Sequence, residues 1–420
     1  MGGSAVVVGG GIGGPAAAIG LRRIGWEVTV VERAAVPADA GAGISLHANG
    51  LRALDVLGVG PAVRAAAPVH RGYPCPRWRL AGPDGRDRSR TRAGHTDRRH
   101  PRAVLHELLR TALPSGCLVT RAEVAFVDRS TAGRVRIPLD DAVLEADLVV
   151  AADGVGSRLR AQLLPRHPGP AYSGSTVVRA VTERPVDLAT DFEPTWGKGA
   201  EFGHIAFTDG RAEWHAVLNS PPGVRYSDAL DAMRRRFGTW HDPIPALLDA
   251  TRPDTLLHHD VHELVTPVPA FTAGRIVLLG DAAHAMTPHL GQGACQALED
   301  AAVLAAVLAT GPTVESALTR YDAERRPRTR SVARAARPAG RMGQQLTHPV
   351  AVAVRNTALR LAPSRTTVHA VLQHADWTPP GLDRRHRTRR SPLNSRSSTC
   401  SWNVAPRCRP TGPAGSRPRP

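Results

Sequence analysis

The sequence predicts an α/β protein: a Rossmann-like nucleotide-binding domain interrupted by an inserted, mixed and mainly antiparallel β lobe. Three observations carry that expectation. A β-branched run, residues 5–8, leads straight into Gly9-Gly10-Gly11-Ile12-Gly13-Gly14 and an alanine-rich helix to about Arg23. From about residue 165 to 270 the pattern turns to strands separated by Pro and Gly turns, the mark of an antiparallel sheet. A short buried strand, residues 276–279, then runs into Gly280-Asp281, and a second glycine corner opens a long apolar helix.

The first corner is the most specific. A second strand, residues 27–31, ends on Glu32, so Gly-x-Gly-x-x-Gly lies inside a strand–turn–helix–strand unit with an acid about 20 residues on. Gly9 permits the tight turn, Gly11 lets the backbone approach a pyrophosphate, and Gly14 lets the helix pack on the strand. Pro15 falls in the first helical turn, where its missing N–H matters little. Glu32 would accept the ribose hydroxyls of an adenosine. This motif says dinucleotide; it does not choose FAD over NAD.

Gly41-Ala42-Gly43-Ile44 reads as a loop before an amphipathic stretch at 50–57. Residues 72–102 are polar and rich in arginine, with a hairpin turn expected at 82–85 and an unusually basic segment at 88–100. Arg102 precedes Leu105, Leu108 and Leu109 at helical spacing. Strands are expected at 118–127 and 143–150, with a turn at 130–133 and an Asp153-Gly154 turn after the second strand. Arg160 reads as a charge on a helix surface.

In the inserted lobe, strands are expected at 176–181, 200–208 and 213–218, a helix at 227–237 and a short apolar piece at 244–248. Phe202, Phe207, Trp214 and His215 could line a pocket for a flat apolar substrate, although core packing is the expected place of most of them. After Asp281, Gly291-Gln292-Gly293 opens the helix 294–309, so unpaired backbone N–H groups point outward at its start. An aspartate at a strand end can hold a polyol hydroxyl, and such a helix start can hold an electron-rich group. Spacing alone does not name the ligand. A helix follows at 314–342, and its 321–328 charges read as a solvated, ion-paired face.

Taken together, the glycine corner at 9–14, the 151–160 run around Asp153-Gly154 and the 275–300 stretch resemble the FAD-dependent monooxygenases of the aromatic-hydroxylase (p-hydroxybenzoate hydroxylase-like, class A) family. The resemblance spans about residues 5–341 and implies a GR2-type FAD-binding domain. It implies that Gly9, Gly11, Gly14, Glu32 and Arg33 hold the adenosine end of FAD, and that Arg102 reaches the FAD phosphates. Gly43 and Ile44 pass beside the isoalloxazine and ribityl, while Asp153, Gly280 and Asp281 meet hydroxyls of the chain. Pro288, Gly291, Gly293, Ala294 and Cys295 surround the ring, Cys295 standing where an asparagine is frequent. NADPH or NADH would visit transiently to reduce FAD. O2 would then be captured at flavin C4a and an oxygen atom passed to an electron-rich carbon of an apolar, aromatic small molecule, by hydroxylation or epoxidation. No catalytic base is identifiable; His47, His215 and His289 are the candidates. An FAD-dependent dehydrogenase of the same fold is the alternative. A flavin halogenase is disfavoured, because Lys198 is the only lysine and its Trp-x-Trp-x-Ile-Pro segment is absent.

The same reading divides the chain at 1–71, 101–165 and 271–345 (FAD-binding domain), 72–100 (an excursion to the second lobe) and 166–270 (substrate domain). Closing helices are expected within 346–380, at 349–361 and 366–374, and a disordered Arg/Pro/Ser tail at 381–420. Lys and Arg number 54 against 37 Asp and Glu, a net charge of +17. Ten arginines and a single aspartate lie beyond Leu382, so about half of that charge sits in the tail. The excess reads as arginine-rich codon usage, and nucleic acid is not the expected partner. Five scattered cysteines without a Cys-x-x-Cys pair indicate neither a disulfide framework nor a metal site, which fits a reducing cytoplasm. No apolar run reaches the roughly 20 residues of a membrane span. A monomer or homodimer is expected.

Overall fold

The β-branched runs assemble into a six-stranded sheet in a computed structural model that describes residues 2–35, 43–66, 79–80, 98–129, 133–140, 142–361 and 373–382. Its order is Thr272–Ala273, Ile276–Leu278, Leu148–Ala151, Ser4–Val8, Glu27–Val31, Leu118–Val119. All neighbours are parallel except the outer pair formed by Thr272–Ala273. Strands with helices on both faces must be apolar throughout, and Leu148–Ala151 is buried at every residue. Helix Gly13–Arg23 packs on helix Gly293–Thr310 through small residues: a Cβ on Gly20 would lie 3.0 Å from the Ala305 Cβ. By length and composition alone Gly293–Thr310 could cross a membrane, but 72% of it is buried inside the protein. It is the core helix of the half built on the first sheet.

The second sheet has the order Leu257–Glu263, Ala171–Val181, Ala212–Asn219, Ala200–Ala206, Phe192–Trp196, Arg79–Leu80. It is antiparallel except for the Arg79–Leu80 edge. Side-chain alternation gives it two unlike faces. Val178, Ala180, Phe202, Trp214 and Ala216 pack against Met233, Phe237 and Leu247 of helices Ala229–Phe237 and Ile244–Asp249. Arg179, Ile205, Glu213 and His215 occupy the opposite face, as the paired registers require.

Several elements differ from expectation. The strand at 118–127 ends at Val119, because the chain turns through a positive φ of 58° at Arg121. The run at 143–150 is two strands, Val143–Ala146 and Leu148–Ala151, divided at Asp147, which accepts bonds from Ser4 N (2.8 Å) and Ser4 Oγ (3.0 Å). In the second sheet two long strands escaped notice: Phe192–Trp196 contains Pro194, and Leu257–Glu263 is too polar to show an apolar alternation. Gly43–Leu46, expected to begin as a loop, and Val135–Pro138 are strands as well. The helix 349–361 is present as Pro349–Leu361. The expectations at 41–42, 82–85, 88–97, 130–132, 366–372 and 383–420 lie outside the described residues.

The largest correction concerns helix Val314–Met342. Tyr321 and Arg325 are 0% and 1% exposed, so that face is not solvated. Glu299 and Asp300 lie fully buried in the apolar core helix and require a counter-charge there. Arg325 supplies it: Nη1 reaches Glu299 Oε2 at 2.5 Å and Nε reaches Asp300 Oδ1 at 2.6 Å. Arg328 donates twice more to Glu299, at 2.5 and 2.6 Å. Burial works against the Asp300 charge, yet His284 and Arg325 outweigh it and hold the carboxyl down at about 2. Removing one member of such a set leaves uncompensated buried charge. Arg325→Met is therefore expected to destabilise the protein by about 3–5 kcal/mol, read as a lower denaturation midpoint; a midpoint unchanged from the parent would contradict the assignment.

Candidate functional site

Four neighbouring parallel strands, Ile276–Leu278, Leu148–Ala151, Ser4–Val8 and Glu27–Val31, end on the same edge of the first sheet. Their carboxyl ends run into Gly280-Asp281, Ala152-Asp153, Gly9-Gly10-Gly11 and Glu32 respectively. At about 4.8 Å between strands these corners form a row about 14 Å long. It lies where chain connections leave Ser4–Val8 to both sides, the usual ligand crevice of an open α/β sheet.

At the glycine corner each residue type is required by a contact. Gly9 has φ 109° and would bring a Cβ within 2.3 Å of Ala152 O. A Cβ on Gly14 would lie 1.9 Å from Gly9 O. Gly11 differs: nothing lies within 4 Å of its Cβ position, so that space is open to a ligand. Glu32 Oε2 accepts from Gly10 N at 2.6 Å and Oε1 from Ala34 N at 2.8 Å, which fixes the carboxylate and leaves each oxygen further acceptor capacity. Arg33 is exposed beside it. Arg102 opens helix Arg102–Thr111, and one turn later His106 Nε2 lies 2.5 Å from Gly10 O. That bond places the helix start against the glycine corner. His106 escaped the sequence reading, although its i, i+4 spacing from Arg102 was the available signal.

Around the middle corners, Asp153 accepts from Ser157 Oγ (2.6 Å) and Leu159 N (3.2 Å), steadying the start of helix Arg158–Leu163. Arg158 pairs with Glu123 at 3.1 Å on the surface. Arg160, expected on a helix surface, is 3% exposed. Its Nη1 donates to Ala282 O at 3.0 Å and Nη2 to Val155 O at 2.7 Å, so one guanidinium ties two corners together. Burial depresses its pKa, while the nearby charges of Asp153 and Asp281 act against that. The helix is short and its inner side faces carbonyls left unpaired by two turns, which is why the charge is drawn in. Gly280 has φ 62° and donates its N–H to Asp300 Oδ2 at 2.9 Å, leaving Asp281 exposed at the row's end.

The second glycine corner completes the row. Helix Gly293–Thr310 starts without a side-chain cap and has no acid in its first turn, so its leading N–H groups remain available to an electron-rich group. Pro288 and Gly291 are exposed, and Gly293 has nothing within 4 Å of its Cβ position. Ala294 is half-buried. Cys295 is wholly buried, with its sulfur beneath Gly50, where a Cβ would approach to 2.8 Å; its side chain is a packing group. Asn49 Nδ2 donates to Gln292 Oε1 (2.9 Å) and Glu299 Oε1 (2.7 Å), joining this corner to the buried charges. Asn49, like Arg325, was missed. The signal was Glu299-Asp300 inside an otherwise apolar helix.

The three candidate histidines part company. His47 lies against Gly291, whose Cβ would come 2.9 Å from its Nε2. His215 is on the open face of the second sheet, 3.3 Å from Glu213 Oε2. Gly43 reaches that face, since its Cβ would lie 3.1 Å from the Glu213 Cβ and 3.2 Å from Ile205 Cδ1; Ile44 follows it in strand Gly43–Leu46. His289 bonds Gln344 Oε1 at 3.1 Å and backs onto Gly340, bracing the end of the long helix. Of the four residues proposed for a pocket, Phe202 and Trp214 stack at 5.4 Å in the rear core and Phe207 is buried, so only His215 reaches the open face.

The row fits FAD. Its open positions above Gly11 and Gly293 are cradles a side chain would fill. Gln292 Nε2 and Thr287 Oγ1, both buried at the second glycine corner, have no partner among the described residues. Gly11→Ala should therefore leave apoprotein stability unchanged within about 0.5 kcal/mol and weaken FAD binding at least tenfold. Gly14→Ala should destabilise the apoprotein itself, because its Cβ would collide with Gly9 O. Denaturation midpoints and flavin titrations separate the two outcomes; equal behaviour would contradict the reading.

Comparison with known proteins agrees. The profile of the FAD_binding_3 family, described as an FAD binding domain, matches residues 4–194 and 250–336. Aurachin C monooxygenase/isomerase of Stigmatella aurantiaca is 35% identical over 379 residues, covering 89% of this chain and 98% of that protein. The 6-hydroxynicotinate 3-monooxygenase of Bordetella bronchiseptica is 33% identical over 318 residues, 71% of this chain and 80% of that protein. Among solved structures, a variant of Klebsiella pneumoniae HpxO complexed with FAD has a TM-score of 0.77 at 26% identity, covering 89% of this chain and 98% of that one. A salicylate hydroxylase substrate complex has a TM-score of 0.68 at 25% identity, covering 90% and 98%. The chain thus belongs to the FAD_binding_3 family and is an FAD-dependent monooxygenase of the aromatic-hydroxylase type.

Proposed function

We propose that this chain is a single-component enzyme that uses NAD(P)H and O2 to place one oxygen atom on an aromatic or heteroaromatic ring made electron-rich by a hydroxyl or amino group. The observation that supports this is the contact of the Gly43 strand with Glu213 and Ile205, which sets strand Gly43–Leu46 directly against the open face of the second sheet. The relatives point to the same class, their names including 6-hydroxynicotinate, 3-amino-4-hydroxybenzoate and urate as substrates. In this reading residues 1–71, 101–165 and 271–345 build a Rossmann-like, GR2-type FAD-binding domain, and 166–270 form the substrate domain. Bound FAD would supply electron transfer from NAD(P)H and the activation of O2.

The chain's own residues bind, orient and move a proton. Glu32 would hold the adenosine ribose, the Gly11 backbone and Arg102 the phosphates, and Asp153 and Asp281 the hydroxyls between them. N–H groups of Gly293 and Ala294 would stabilise negative charge on the ring edge, with Pro288 packed beside it. Arg179 and His215 pair across neighbouring strands on the substrate-facing side. Arg179 would stabilise a phenolate oxygen, and His215 Nε2 would accept the phenolic proton while Glu213 holds the ring through Nδ1. Burial opposes protonation of His215, but Glu213 prevails and raises its pKa above the ordinary 6.5.

Substrate-stimulated NAD(P)H oxidation should consume O2 in step and yield a product heavier by one oxygen atom. NAD(P)H consumption indifferent to O2, with no oxygenated product, would instead identify a dehydrogenase of the same fold. The proton-transfer role makes a separate prediction. His215 is a base only when neutral, so kcat/KM for a phenolic substrate should rise with pH through a value above 6.5. His215→Gln should lower it about 100-fold and abolish that limb; a retained limb would assign the base elsewhere.

A further inference from the structure

A second cavity lies outside the row of strand-end corners, between residues 264–271, helix Asp281–His284 and helix Val314–Met342. Its volume is about 50 Å³, room for roughly four waters or one small polar group and the start of an apolar body. Leu264, Val268 and Phe271 give it an apolar floor, and Arg330, Arg334 and Arg337 reach it from successive turns of the long helix. Arg337 is neutralised by Glu263 at 2.6 Å. Arg330 donates to Val268 O at 2.9 Å, while its Nε has no partner among the described residues. No carboxylate among the described residues lies within ion-pair distance of Arg330 or Arg334.

Two like charges four residues apart on a helix repel. Partial burial, with Arg326 and Arg334 adding to it, accordingly depresses the Arg330 pKa. His284 lines the cavity and is 6% exposed; Asp300 holds its Nε2 at 2.6 Å, and its Nδ1 has no partner among the described residues. Bare phosphate would leave the apolar floor unused, and a hydrocarbon would leave the guanidinium groups unneutralised. A carboxylate on an apolar body satisfies both.

We propose that this cavity is a second ligand site, distinct from the FAD and substrate sites, which takes a small apolar carboxylate with its charge on Arg330 and Arg334 and its body over Val268 and Phe271. The probe is trifluoroacetate, observed by fluorine NMR with the FAD-loaded full chain. A saturable bound resonance is expected, together with at least tenfold weaker binding of the neutral trifluoroacetamide. Ala333→Phe, which fills the cavity, should abolish the resonance, and the exposed-site change Arg334→Glu should weaken binding at least tenfold. Flavin content verifies the fold of each variant, and Arg334→Glu keeps the test valid if Ala333→Phe fails to fold. The resonance should survive Arg179→Gln on the substrate face. Absence of a bound signal, a signal indifferent to Arg334→Glu, or one lost only in Arg179→Gln would overturn the proposal.

Discussion

Two carboxylates buried without exposure in the middle of an apolar helix set the terms for the flavin-binding half. Glu299 and Asp300 cannot remain charged there unless cations and N–H groups are brought to them, and those partners come from three other segments. Arg325 and Arg328 come from the long helix, His284 and Gly280 N from the turn after strand Ile276–Leu278, and Asn49 from the helix Ala48–Leu57. Trp377 lies over both guanidinium groups, at 5.9 and 5.8 Å, and closes the cluster from the C-terminal side. Each bond also fixes part of the site. Gly280 N on Asp300 sets the turn that presents Asp281, and Asn49 on Gln292 sets the second glycine corner.

The glycines at the site divide by what surrounds them. Gly9 and Gly14 are forced by backbone of the protein itself, whereas Gly11 and Gly293 face open space. The first kind is needed for the fold, and the second kind leaves room for a ligand. Arg160 performs the comparable task in the middle of the row, where its single side chain satisfies carbonyls of both the Asp153 and Asp281 corners. The row is therefore braced from below by charge and left open above.

Much of this was legible in the sequence because its signals are local. Gly9, Gly11, Gly14 and Glu32 announce themselves through strand, turn and helix in register, and the core helix through unbroken apolar character. What failed was non-local. Arg160 and Arg325 look like solvated charges until the Ala282 carbonyl, 122 positions away, and the Glu299 carboxylate, 26 positions away, are in place. Strand Phe192–Trp196 hides behind Pro194, and Leu257–Glu263 behind its histidines, because pairing partners and not propensity hold them extended. His215 and Trp214 show the period-two rule at work: adjacent residues could never share one pocket, and only the histidine lies on the open face of the second sheet.

The account depends on the four strand-end corners meeting one extended FAD. A structure of the FAD-loaded protein tests this most directly. It should show the adenosine ribose bonded to Glu32, the pyrophosphate over Gly11, the ribityl chain at Asp281 and the ring edge at the N–H groups of Gly293 and Ala294. A bound FAD that leaves Glu32 and Asp281 without contact, or that lies off the edge where these strands end, would contradict it.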